Sequence, residues 1–377
     1  MIMIPKRVLT LWAAGILAAA VAGAFEQAPG GAADAAQSWG LGARAEALGR
    51  VYGALADDAA AAYWNPAGLA ALDRTEVTFG YGRPYKEIGG INVGDAVIAK
   101  PLLYNMGEEA GGGGSLGTLA GAVAFRRVSD ILEADDDGFT GRTFADTDLD
   151  LYIAYAHTVG KKASLGLALK NVTRTVAGYD DSGFGLDLGA QYKAAANFDV
   201  GLVVRNAIAP SYELAALRDA PPLTLEASAG YELFGIVGLA VGGTLTRELF
   251  YDAGAGVEVT PLKFLALRGG YDLGDGRPRA GIGMEFETFA FDYAIRVGGA
   301  LGDTHLASVS FLIAPPPKVD TEGGEGEGYI EYKPGEEKPN EDGGTTEEPL
   351  IPGFGGSPEK DTGNAGEGEE KTPAPGE

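Results

Sequence analysis

The feature that most constrains this chain is a long series of segments in which apolar and polar residues alternate with a period of two. From about residue 75 to residue 313 the sequence divides into such segments, each eight to twelve residues long. In 147–157, Leu151 and Ile153 share an apolar face, with Asp150 on the opposite face. This alternation is typical of β-strands with one apolar side. The same pattern occurs in 183–193, 222–232 and 288–297.

Segment length and the contents of the two faces favour a membrane barrel over a soluble sandwich. Soluble strands have about 5–6 residues, whereas strands that cross an outer membrane need about 9–11, with aromatic residues at the ends of the apolar band. Glycine supplies 60 of the 377 residues, which suits a crowded lumen. Aromatic side chains recur near segment ends at Tyr81, Phe125, Tyr155, Tyr192, Tyr231, Tyr271 and Phe311. The sequence therefore predicts an all-β fold, a transmembrane antiparallel β-barrel.

The barrel is expected to occupy residues 73–314 and to contain about fourteen strands. An even number places both termini on one side of the membrane, the periplasm in bacterial outer-membrane barrels, and closure removes exposed strand edges. Longer loops are predicted at 106–115, 129–147 and 210–221. The predicted strands lie near residues 75–82, 95–103, 116–127, 147–157, 163–171, 183–193, 198–206, 222–232, 236–247, 251–260, 263–273, 279–287, 288–297 and 304–313.

Residues 1–24 are expected to be a cleaved signal peptide. A basic start is followed by an apolar run at 8–21 and by the small residues Ala22, Gly23 and Ala24. The run is shorter than the roughly 20 residues that a membrane-spanning helix needs. This pattern predicts export to the bacterial outer membrane, with cleavage after Ala24.

Residues 315–377 are expected to form a disordered, acidic, periplasmic tail. They contain 17 acidic residues against five lysines and few residues that could build a core. Such a composition cannot bury enough apolar surface to offset the entropy lost on ordering. The tail is interpreted as a solvated spacer, with binding of a basic partner or of cations as the alternative.

One stretch departs from the strand pattern. The sequence ADDAAAAYWNPAGLAAL, residues 56–72, predicts two short alanine-rich helices joined at Trp64, Asn65 and Pro66. Asp57 or Asp58 is expected to cap the first helix. Asn65 should cap the second, with proline in its first turn.

These residues also carry a resemblance to a known family. Residues 43–72, ARAEALGRVYGALADDAAAAYWNPAGLAAL, resemble the N-terminal signature of the PorV/PorQ-like outer-membrane proteins, relatives of the FadL fatty-acid channel superfamily. Segments 204–210, 265–286 and 291–313 are similar to that family's late strands. The chain departs from the family pattern at Arg50, where glycine is usual, at Leu306, where a basic residue is usual, and in its long acidic tail.

The resemblance implies that the N-terminal segment, residues 25–72, folds back into the barrel lumen as a hatch or plug. Small alanine side chains would allow its helices to pack against a glycine-lined wall. A periplasmic cap, or a stabilising segment without a gating role, is the alternative. The residues expected to form the plug are Asp57, Asp58, Tyr63, Trp64, Asn65, Pro66, Ala67 and Gly68.

Two functions stay open from the sequence. The resemblance implies a channel for hydrophobic or amphipathic small molecules, embedded in outer-membrane lipid. It also allows a docking barrel without transport, which would assist protein secretion or surface attachment as PorV-type members do in type IX secretion. A structural barrel without cargo is a third alternative.

The sequence predicts no enzyme and no cofactor. His157 and His305 are the two imidazoles, and neither has the partners that nucleophilic catalysis requires. No metal site is predicted, although the loop carboxylates Asp135, Asp136 and Asp137 could hold Ca²⁺ weakly. The net charge of −24 argues against nucleic acid as a partner.

Overall fold

The computed structural model describes residues 39–105, 113–214, 217–246, 251–299 and 301–313. The predicted signal peptide, residues 25–38 and the acidic tail lie outside the described residues, so the expectations about them stay predictions. Domain boundaries at residues 24, 72 and 314 likewise remain predictions.

Fourteen strands form one closed antiparallel barrel, as the sequence predicts. The described strands are β1 (Thr75–Arg83), β2 (Ile91–Asn105), β3 (Gly113–Asp135), β4 (Gly138–Val159), β5 (Ala163–Val176), β6 (Tyr179–Ala195), β7 (Phe198–Ile208), β8 (Tyr212–Leu214), β9 (Leu217–Asp219), β10 (Thr224–Leu233), β11 (Val237–Thr246), β12 (Tyr251–Leu262), β13 (Leu265–Asp272), β14 (Arg277–Glu285), β15 (Phe289–Arg296) and β16 (Thr304–Ile313). Each barrel strand pairs with its neighbours in sequence, β1 closes the ring against β16, and β7 pairs with β10. The short strands β8 and β9 form a separate hairpin between β7 and β10.

Within residues 39–72, three short helices precede the barrel. They are α1 (Ala43–Ala47), α2 (Ala61–Trp64) and a 3-10 helix (Pro66–Ala71). In the described part of the chain, no helix has the length and apolar character needed to cross a membrane.

The barrel wall is apolar outside and charged inside, the inverse of a soluble protein. On β4, Leu151 and Ile153 are 48% and 62% exposed, whereas Asp148 and Asp150 are 2% and 6% exposed. Exposed leucines alternate with buried polar residues on the other strands too. Water would penalise such a surface, and lipid would not. The facing predicted for β4 is therefore confirmed.

Aromatic side chains mark both ends of this apolar band. We call the end where residues 75 and 313 lie the terminal end and the opposite end the far end. At the terminal end, Phe198 contacts Tyr231, and Phe264, Phe286 and Phe289 stack in series. At the far end, Tyr81 and Tyr271 are exposed on the outer face. Two aromatic girdles are typical of transmembrane barrels.

The predicted loop at 129–147 is wrong. These residues continue β3 and β4 as a hairpin that turns at Asp136 and Asp137, and the register shifts near Val128 and Leu132. Its apolar residues, among them the exposed Leu132 and Phe139, are interspersed irregularly with charged ones, so no regular apolar face marks these strand ends. Residues 106–112 of a second predicted loop lie outside the described residues, and the third, 210–221, contains β8 and β9.

Replacing Ile153 with arginine is expected to destabilise the barrel by about 2–4 kcal/mol, because this side chain faces the middle of the apolar band. Thr147 lies on the same strand and face, nearer the far end, so Thr147→Arg is a matched control that should cost about 0–1 kcal/mol. Urea titration in lipid vesicles, followed by the gel mobility of the folded barrel, measures both. Equal stability of the two variants would contradict the assigned facing.

Candidate functional site

Residues 39–72, called here the luminal segment, lie inside the barrel. Their backbone contacts wall strands at glycines, and a Cβ at Gly166 would overlap the backbone of Pro66. The same holds for Gly201 against Gly53. Glycine is required at these positions because the segment touches the wall without room for a side chain. Further contacts of this kind occur at Gly256 with Leu48 and at Gly270 with Gly49.

The first part of the luminal segment is held by ion pairs to the wall. Glu46 of α1 accepts from Nε of Arg279 on β14 at 3.0 Å, and both side chains are buried. Arg44 donates from Nε and from a terminal nitrogen to the two carboxylate oxygens of Glu258, each at 3.1 Å. The amide of Ala43 donates to Ser308 Oγ at 3.2 Å. Because each partner lies more than 200 residues away in sequence, no local pattern could indicate these pairs.

Asp57 and Asp58 do not cap α2, so that prediction is wrong. The N-cap is Ala60, and no side chain satisfies the start of this helix. Asp58 instead accepts from Tyr52 Oη at 2.7 Å, and Asp57 accepts from Arg44 at 2.6 Å. The Arg44 guanidinium holds Asp57 away from the helix amides because a charge-assisted hydrogen bond between two ionised groups is the stronger interaction.

Asn65 caps the 3-10 helix, as predicted. Its Oδ1 accepts from the Ala67 amide at 3.1 Å, and Pro66 occupies the first turn. Its Nδ2 donates to the carbonyls of Gly53, at 2.8 Å, and of Ala190 on β6, at 3.1 Å. One buried amide thus ties the helix start, an earlier turn and the barrel wall together.

Arg205 on β7 binds the backbone of the luminal segment at Tyr63 and Trp64. Its guanidinium donates to the Tyr63 carbonyl at 2.7 Å and to the Trp64 carbonyl at 3.1 Å, and it lies 4.4 Å from the centroid of the Tyr63 ring. It also forms an ion pair with Glu226 on β10. Sequence reasoning missed Arg205. The only signal was one charge in the apolar run GLVVRNAI.

Close packing completes the path of the luminal segment. Trp64 is buried, and its Nε1 donates to the Leu41 carbonyl at 2.7 Å. A Cβ at Gly68 would overlap the Ala56 carbonyl, so glycine is needed there for the 3-10 helix to approach the preceding turn. The eight predicted plug residues therefore lie together, although Asp57 is exposed.

The connection between β7 and β10 narrows the far end of the lumen. Pro210 and Ser211 press against the wall glycines Gly183 and Gly185, which leave no room for a Cβ. Nearby, a buried Lys170 donates to Asp187 at 2.8 Å and to Asn206 Oδ1 at 2.6 Å. No sequence pattern predicted this second inward contact.

Two cavities of about 420 Å³ and 450 Å³ lie at the terminal end. Arg44, Asp57 and Glu258 line both cavities. Apolar side chains contribute as well, among them Leu72 and Phe264 in the first and Leu55 and Tyr231 in the second. These walls suit a solute with both a polar and an apolar part.

Burial raises the pKa of Asp58 to about 6 from its ordinary value of 3.8. Below about pH 4 Asp58 is protonated in both the docked and the released segment, and as the pH rises toward 6 the docked segment loses stability. Release of the segment exposes Trp39 and Trp64, which are the only tryptophans after residue 24. Acrylamide quenching of tryptophan fluorescence should therefore increase from pH 4 to pH 7. Asp58→Asn should reduce the pH dependence of the quenching, and Asp57→Asn, which changes an exposed carboxyl, should reduce it less. An unchanged profile in Asp58→Asn would contradict the assignment.

The two histidines do not meet. His157 is exposed near the end of β4, and Nδ1 of His305 lies 2.6 Å from the hydroxyl of Tyr293 on the outer wall. Among the described residues there is no group of three or more His, Cys, Asp or Glu side chains arranged to hold a metal ion.

Fold and site together define a transmembrane barrel whose lumen is occupied by its own N-terminal segment. No protein-family model and no curated protein sequence matches the chain. Among solved structures, the chain is similar to a deletion mutant of the TodX monoaromatic hydrocarbon channel, with 13% identity, 73% of this chain and 99% of that chain covered, and a TM-score of 0.53. It is also similar to the toluene transporter TodX of Pseudomonas putida, with 12% identity, 73% and 98% covered, and a TM-score of 0.53. At this identity the likeness shows a shared fold.

Proposed function

We propose that this protein is an outer-membrane barrel of PorV/PorQ type, related to the FadL superfamily, that passes hydrophobic or amphipathic small molecules. The luminal segment acts as its plug. The observation that carries the proposal is the row of inward glycines whose missing side chains make room for this segment. A wall shaped to hold its own chain is suited to gating.

Three further features support the proposal. The apolar outer wall between two aromatic girdles suits lipid, and the predicted signal peptide suits export. The structures that share the fold are described as a monoaromatic hydrocarbon channel and a toluene transporter. The two terminal-end cavities combine charged and apolar walls, as an amphipathic solute requires.

Passage through the lumen requires the plug to move. Of the eight plug residues, Asp57, Asp58, Tyr63, Trp64, Asn65, Pro66, Ala67 and Gly68, the last six lie where the segment meets β4 to β7, and the two aspartates lie beside Arg44. The side chains at this contact are small, so the plug is held to the wall there mainly by hydrogen bonds, among them those of Asn65 and Arg205. A gate held by a few bonds can open without unfolding the barrel.

Uptake by cells tests this function. A strain that lacks the gene should take up less radiolabelled long-chain fatty acid or toluene than the wild type, and the full chain should restore uptake. A chain that lacks residues 315–377 is the matched control and should also restore it. Uptake that is unchanged by loss of the gene would overturn transport of these molecules.

A docking barrel is the second candidate function. The β3–β4 hairpin favours it, because residues 129–147 extend beyond the apolar band and expose both charged and apolar side chains, among them Asp136 and Phe139. Shortening this hairpin to a tight turn should then deplete specific proteins from the cell surface while uptake stays normal. Quantitative surface proteomics of this variant distinguishes docking from transport.

A further inference from the structure

Outward-facing residues form a polar row on the outer wall at the far end. Neighbouring strands pair His305 with Arg83, and Asn92 with Arg127. Gly82 pairs with Val93, so Arg83 stands across from Asn92 one residue farther along the ladder. The order around the wall is therefore His305, Arg83, Asn92 and Arg127, which we call the far-end row.

The two arginines of this row are exposed and have no acidic partner among the described residues. No hydrogen bond, ion pair or ring contact involves Arg83 or Arg127 within the part of the chain that the structure describes. The inward neighbour Arg126, by contrast, pairs with Asp146 and Asp148. The carboxylate nearest along β3, Asp130, accepts from Ser129 at 2.9 Å instead. Because the chain has a net charge of −24, two neighbouring arginines without an acidic partner among the described residues are unusual.

Aromatic hydroxyls fix the depth of the row in the membrane. Tyr81 donates from Oη to Asn92 Oδ1 at 2.6 Å, and the Tyr293 hydroxyl lies 2.6 Å from His305 Nδ1. Both tyrosines thus direct their rings toward the apolar band and their hydroxyls toward the row. Amphipathic rings take this orientation at the boundary between acyl chains and headgroups. The row lies at headgroup level.

We propose that the far-end row binds a lipid whose headgroup carries phosphate. Arginine forms paired hydrogen bonds with phosphate oxygens, and adjacent strands lie about 4.8 Å apart, so the two arginines, two strands apart, can reach one headgroup. The acyl chains would lie along Phe125 and Leu149, which are exposed on the side of the row nearer the middle of the band. The inference rests on the proposed membrane placement but not on transport.

Native mass spectrometry of the detergent-purified full chain tests the proposal. The probe is dimyristoyl phosphatidic acid, compared with dimyristoyl glycerol, which has the same chains without phosphate. The wild type should retain phosphatidic acid in preference, and Arg83→Gln with Arg127→Gln should lower its apparent affinity about tenfold or more. Lys100→Gln with Lys161→Gln removes the same charge away from the row and should bind as the wild type does.

Equal retention of the two lipids, or equal affinity in the row variant and the wild type, would overturn the proposal. Displacement of the lipid by millimolar inorganic phosphate would show a free-anion site and would also overturn it. Flotation with lipid vesicles separates this from the proposed function. A chain that floats but does not distinguish the lipids refutes the row alone, whereas one that fails to float refutes the membrane placement and the row together.

Discussion

Deletion of residues 39–72 is expected to convert a closed barrel into an open pore with steady ionic current across a planar bilayer. The segment occupies the lumen against glycines on β5, β7, β12 and β13, so its removal leaves the space that it fills open to water. Fourteen strands enclose a lumen wider than that of eight-stranded barrels, whose interior is just filled by side chains. The intact chain should show current only rarely.

Two further variants make this result specific. Deletion of residues 315–377 leaves the luminal segment in place and should keep the pore closed. Gly166→Leu keeps the whole chain but places a side chain where the Pro66 backbone lies, so it should raise the current in a barrel that still folds. Gly121→Leu is its matched control, because a Cβ there meets only Ile98 at 3.9 Å. Equal conductance of the intact and shortened chains would refute the plug.

The strands, and the residues on them that face lipid, could be predicted because both depend on residues that are close together in sequence. Alternation of apolar and polar residues with a period of two indicates which side of a strand faces lipid. Each of the fourteen predicted strands matches an observed one. The ends of β3 and β4 were predicted as a loop because their apolar residues, Leu132 and Phe139 among them, do not alternate regularly with polar ones. Periodicity therefore indicates the membrane span rather than the full strand.

The candidate site was predictable only where its chemistry is local. Asn65 followed by Pro66 is a capping signal within three residues, and the structure has that cap. Asp57 and Asp58 carry an equally good local signal, but Arg44 and Tyr52 take their carboxylates. Arg205 was missed because its partners on the segment are backbone carbonyls, which any sequence supplies.

Replacing Arg205 with methionine is expected to weaken docking of the luminal segment by about 3 kcal/mol or more, because it removes two hydrogen bonds from a charged donor to the segment's backbone, each worth about 1.5–3 kcal/mol. Methionine fills similar space but removes the ion-pair partner of Glu226 and the hydrogen bonds that Arg205 donates to the carbonyls of Tyr63 and Trp64. The substitution leaves the backbone hydrogen bonds between the barrel strands in place, so the lost free energy should appear mainly as release of the segment.

Thiol labelling measures this release directly. The chain has no cysteine, so Ala62→Cys introduces a single buried thiol in α2. Since 1.4 kcal/mol corresponds to a factor of ten, Arg205→Met should speed its labelling about a hundredfold or more. Arg126→Met is the matched control: Arg126 also pairs with wall carboxylates, Asp146 and Asp148, but forms no hydrogen bond to the described luminal segment.

A lysine at position 205 separates charge from geometry. Lysine keeps the positive charge beside Glu226, but its ammonium is a single point donor and cannot span two carbonyls and a carboxylate as the guanidinium does. Arg205→Lys should therefore label at an intermediate rate. Adding Glu226→Gln to Arg205→Met removes the stranded charge and should recover part of the lost docking. If Arg205→Met labels no faster than Arg126→Met, the segment is held by its packing against the wall glycines, and the arginine stabilises the barrel alone.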